Sequence, residues 1–143
     1  MSENVAPSSQ IKKNVLLVGH SFARRAGRLC PFKLGSVIIN ASGVSGGGVK
    51  NLSHTWDEVS EEMKPDIVFI QSGENDIGSM PWKDVADTLF RFAEAISSDK
   101  VKVVIGSKFK RYKFRNPKMN LARYNMCRKQ INTYLKVKCR ETN

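Results

Sequence analysis

Histidine is the scarcest of the catalytic side chains here, with only His20 and His54 in 143 residues. Cysteine is nearly as rare. Cys30, Cys127 and Cys139 are odd in number and form no C-x-x-C pair, which argues against a disulfide framework or a zinc site. No apolar run reaches the length of a membrane span, so a transmembrane segment is not expected. The opening stretch is polar and lacks a signal-peptide core, and Ser2 stands where myristoylation needs glycine. A cytoplasmic or nuclear setting is the default expectation. No cofactor or metal motif occurs, and none is expected. Acidic residues are missing from the last third except for Glu141. Residues 1–99 hold 10 Lys+Arg against 12 Asp+Glu, a balance of −2, whereas residues 100–143 hold 14 against one, a balance of +13. An asymmetry of this size raises the question of an anionic partner.

What is present is a regular alternation. Four apolar runs, Val15–Val18, Val37–Ile39 (ending at Asn40), Ile67–Ile70 and Val101–Ile105, have the length and composition of buried strands. Between them lie helical patterns. A short basic segment runs from Phe22 to Leu29. Val49, Leu52, Trp56, Val59 and Met63 recur at three and four, and Pro65 stops them. Pro81 opens a second face made of Val85, Leu89, Phe92, Ala93 and Ile96. A final face runs through Leu121, Tyr124, Cys127, Ile131, Leu135 and Lys138. The alternation predicts an α/β fold with a parallel sheet between helices and right-handed crossovers. Residues 1–12 read as a loose N-terminal tail and 13–143 as one domain.

In such sheets, ligands gather at the carboxyl ends of the strands. Three segments fall there: Gly19-His20-Ser21, the glycine-rich Ser42–Gly48, and Gly73-Glu74-Asn75-Asp76. Ser21 follows a strand and a glycine that tolerates a sharp turn, so its hydroxyl stands either as a nucleophile or as a cap for the next helix. Gly43–Gly48 reads equally as a flexible turn, and Asn75-Asp76 as a turn and helix cap.

Taken together and in this order, Gly19-His20-Ser21, Ser45-Gly46-Gly47 and Gly73-Glu74-Asn75-Asp76 resemble the first three sequence blocks of the SGNH hydrolases, the GDSL-type esterases and lipases. The resemblance spans roughly residues 14–140. It implies a flavodoxin-like three-layer α/β/α fold, with four of the usual five strands present. It also implies hydrolysis of an unidentified small ester through a serine acyl-enzyme. Ser21 takes the place of the catalytic nucleophile. The oxyanion hole would consist of the backbone N–H groups of Ser21 and Gly46 and the side-chain amide of Asn75, because acyl transfer needs donors aimed at the developing negative charge.

Two departures from the family pattern stand out. His20 replaces the aspartate of the name motif. Neighbouring side chains in an extended segment point to opposite faces, so it is expected to support the site rather than to serve as base. The family's late Asp-x-x-His block, which carries the general base, is absent. His54 should face solvent, about 200° around its helix from Leu52. The domain therefore reads as incomplete at its C-terminus, either a fragment or a truncated and weakly active relative, and Val101–Ile105 as an exposed sheet edge.

A rival function rests on Lys108-Phe109-Lys110-Arg111-Tyr112-Lys113-Phe114-Arg115. Its cations Lys108, Lys110, Arg111, Lys113 and Arg115 are candidate anion-binding residues, interleaved with aromatics in the manner of a single-strand nucleic-acid contact. This reading makes the chain a non-catalytic domain that binds an anionic partner through residues 100–140.

Overall fold

The structure, a computed structural model, describes residues 13–43, 47–111 and 118–142, and of Ser21, Phe22 and Thr142 the backbone. The expected tail 1–12, Gly46, Lys113 and Arg115 lie outside the described residues.

The chain runs β1 (Lys13–Gly19), α1 (Ser21–Gly27), β2 (Phe32–Leu34), β3 (Val37–Gly43), a 3-10 turn (Val49–Asn51), α2 (Leu52–Met63), β4 (Ile67–Gln71), a second 3-10 turn (Glu74–Asp76), α3 (Trp82–Ile96), β5 (Lys102–Ile105) and α4 (Leu121–Thr142). The sheet order is β2-β3-β1-β4-β5. Four strands are parallel, as expected from the alternation.

The fifth strand was not expected. β2 pairs antiparallel with β3 through a tight hairpin at Gly35, whose φ of +61° is a conformation that glycine adopts without strain. Three residues are too few to show a period, and Phe32 and Leu34 are 52% and 65% exposed. Backbone pairing, not burial, holds this edge, so it leaves no hydrophobic signature. β3 also runs three residues past Asn40, because Ala41, Ser42 and Gly43 pair with Leu17, Val18 and Gly19 of β1. The ladder overrides the low strand preference of these residues.

Leu16, Val18, Val68 and Ile70 alternate onto one face of the sheet and are buried against Leu52, Val85, Leu89, Phe92, Ile131 and Leu135. Right-handed crossovers put α2 and α3 over this face and α1 over the other. α4 packs beside α3. The opposite face, with Val15, Leu17 and Phe69, is only half-buried. Leu121, assigned above to the buried face of the last helix, is exposed at its first turn, while Tyr124, Ile131 and Leu135 are buried. β5 is an edge strand among the described residues, as expected.

Candidate active site

The registers bring the three predicted segments together. Gly19 is paired with Gly43 on one side and with Gln71 on the other, so β3, β1 and β4 end level with one another. The loops after them must emerge side by side. Gly19 serves here by close approach rather than by a special turn angle. A Cβ at this position would lie 1.9 Å from the carbonyl oxygen of Gln71, inside any allowed contact. Helix α1 starts at once, with Arg24 N–H donating to the carbonyl of His20 (3.1 Å). Ser21 is thus the first residue of the helix at the mouth of the sheet.

The second and third loops are tied by polar contacts. Asn75 donates through Nδ2 to the carbonyl of Gly47 (2.8 Å), and its Oδ1 accepts from Arg111 Nη2 (2.9 Å). The amide is held at both ends, which fixes which way it faces. Asp76 accepts from the N–H of Val49 (2.8 Å), and Asn51 accepts from the N–H of Gly48 (2.9 Å). Burial raises the pKa of Asp76, with the Val49 hydrogen bond opposing it.

Beneath these loops lies a buried polar cluster. His20 Nε2 meets Glu74 Oε1 at 3.0 Å, and both side chains are almost wholly buried. Glu74 Oε2 accepts from Gln71 Nε2 (2.6 Å) and from Phe109 N–H (3.0 Å). Gln71 also donates to the carbonyl of Ser107 (3.0 Å), and Lys108 Nζ donates to the carbonyl of Ser72. Tyr124 donates to the carbonyl of Phe109 (2.7 Å). Burial by itself raises the Glu74 carboxyl. The hydrogen bond with His20, the Lys108 charge and the Phe109 N–H outweigh that effect and bring its pKa to about 2. Burial lowers the pKa of Lys108, against the pull of Glu74 and Asp76. Burial pushes the Tyr124 phenol up to about 12, with help from the Glu74 charge.

One sequence expectation changes. Lys108, taken above as an anion-binding residue, is only 2% exposed and is spent inside the cluster. Its ammonium turns inward, where the Ser72 carbonyl accepts from it and the charges of Glu74 and Asp76 offset the burial of the cation. Arg111, in the same group, reaches Asn75. Lys110 is exposed. His54 is 74% exposed on α2 and faces Glu58 (3.3 Å), as its helical position requires. The roles of Glu74, Gln71 and Lys108 were missed. The available signal was Gln71, a polar side chain closing an otherwise apolar strand.

The mostly parallel five-stranded sheet with helices on either side has the fold of the GDSL-type, or SGNH, hydrolases, and solved structures of that class share it. A GDSL-like lipase from Bacteroides thetaiotaomicron superposes with a TM-score of 0.72 at 16% identity, over 99% of this chain and 69% of that one. A lipolytic protein of the G-D-S-L family from Veillonella parvula gives 0.71 at 21% identity, over 92% and 74%. An acetyl xylan esterase gives 0.67 at 13% identity, over 87% and 73%. No protein-family model and no curated protein matches the sequence. The likeness is one of fold.

Proposed function

We propose that this chain is an SGNH-type ester hydrolase domain of low intrinsic turnover. Ser21 attacks the ester carbonyl and forms a bond to the acyl carbon. The carbonyl electron pair moves onto the oxygen, which is met by the N–H groups of Ser21 and Gly46 and by the Asn75 amide. Collapse breaks the bond to the alcohol, which leaves with a proton. Water then releases the acid from Ser21.

The observation that carries the reading is the anchored Asn75, held between Gly47 and Arg111 beside the end of β1. Holding the amide beforehand removes the need to orient it as charge develops. Low turnover follows from the histidines. The chain has two; Glu74 engages the Nε2 of His20, and His54 is on the exposed face of α2. The serine proton therefore passes to water.

The test is hydrolysis of 4-nitrophenyl butyrate with and without added imidazole. Slow turnover that imidazole raises, and that disappears in Ser21→Ala, is the expected result. Turnover that survives in Ser21→Ala sinks the proposal. Covalent labelling of Ser21 by a fluorophosphonate reads the same nucleophile independently.

A second reading, binding of an anionic partner such as nucleic acid, is favoured by the exposed cations Lys110, Arg123, Lys129, Lys136 and Arg140. Loss of Lys108 to the interior narrows that surface. Binding to a labelled single strand that weakens steeply with salt supports it, and salt-independent binding counts against it.

A further inference from the structure

We propose that the site selects esters bearing a negative charge close to the scissile carbonyl, with Arg111 as the residue that reads the charge. The inference rests on the ester-hydrolase reading above and names its substrate class.

Arg111 is half-buried and bonded to the oxygen of the same amide whose nitrogen faces the glycine-rich loop. Any oxyanion held by that amide would lie within roughly 8 Å of the guanidinium, two hydrogen-bond lengths and one amide away. The bond to Asn75 uses one of five guanidinium N–H donors. The remaining edge suits a carboxylate or a phosphate, which a planar fork can grip through two parallel bonds.

Among the described residues no carboxylate is paired with it. The ion pairs among the described residues are His20–Glu74 and His54–Glu58, and neither involves Arg111. Glu74 is occupied by His20, Gln71 and Phe109. From Lys100 to Arg140 the sequence has no acidic residue at all. Asp76 faces the N–H of Val49. Among the described residues the cation is thus left for a ligand, and partial burial shields it from salt better than an open surface would.

The experiment compares two chromogenic esters of equal chain length, mono-4-nitrophenyl adipate and 4-nitrophenyl hexanoate, by kcat/KM after subtraction of the uncatalysed rate. The wild-type protein is expected to favour the anionic ester by about tenfold. In Arg111→Gln the ratio falls to about one, and Arg111→Lys, which keeps the charge, retains part of it. Any general damage from releasing Asn75 lowers both rates and cancels in the ratio. An unchanged ratio in Arg111→Gln, with turnover that still requires Ser21, overturns this inference alone. A ratio lost equally in the Lys variant overturns charge as its basis. Absence of Ser21-dependent turnover overturns the inference together with the reading it rests on.

Discussion

Glu74 is the group through which acid should loosen this fold. Its ordinary pKa of 4.5 falls to about 2 in the folded chain. The folded state therefore binds fewer protons than the unfolded one. The stabilisation is present in full above about pH 4.5 and is lost as pH falls towards 2. At roughly 1.4 kcal/mol per tenfold change in ionisation constant, the drop corresponds to about 3 kcal/mol. Discounting for solvent is small, since the side chain is 2% exposed. Glu74→Gln removes this contribution while keeping shape. It also leaves the buried Lys108 cation facing less negative charge. Urea unfolding followed by circular dichroism measures the gap between wild type and variant. It should be about 3 kcal/mol at pH 7 and less than half of that at pH 3. Asp76 titrates in both proteins; burial is the main cause of its raised pKa, and the Glu74 charge, lost in the variant, is a lesser one. An equal gap at the two pH values, or no gap at pH 7, refutes the reasoning.

Three further outcomes follow from single sites. Gly19→Ala drives a methyl group into the Gln71 carbonyl and should cost about 3 kcal/mol or more, read as a fall in the urea midpoint or loss of soluble protein. Asn75→Ala removes the proposed side-chain oxyanion donor and should lower kcat on a neutral ester by roughly a hundredfold, while loss of its bonds to Gly47 and Arg111 costs only about 1–2 kcal/mol, read as a modest fall in Tm. Ser72 has a buried hydroxyl without a hydrogen-bond partner among the described residues. Ser72→Ala keeps the backbone carbonyl that Lys108 uses. It should leave stability unchanged or raise it by about 1 kcal/mol, and a clear drop in Tm would show that the hydroxyl matters.

The sequence by itself determined the framework. Buried parallel strands must be apolar on both faces, and amphipathic helices must repeat at three and four, so Val15–Val18, Ile67–Ile70 and the α3 face from Val85 to Ile96 were legible from local pattern alone. Element order then put Gly19–Ser21, the glycine-rich loop and Gly73–Asp76 at one end of the sheet. The tertiary structure decided what local pattern does not carry. β2 is a strand because β3 pairs with it, not because its side chains are buried. Lys108 looked like one more solvated cation in a basic run. Only the fold brings it within reach of the Ser72 carbonyl and the charge of Glu74, 36 and 34 positions earlier in the chain. Likewise Arg111 reads as a charge in the sequence and as the partner of Asn75 in space. Burial and long-range hydrogen bonds set the roles of such polar side chains, and these depend on which strand ends lie level, a property of the sheet and not of any segment within it.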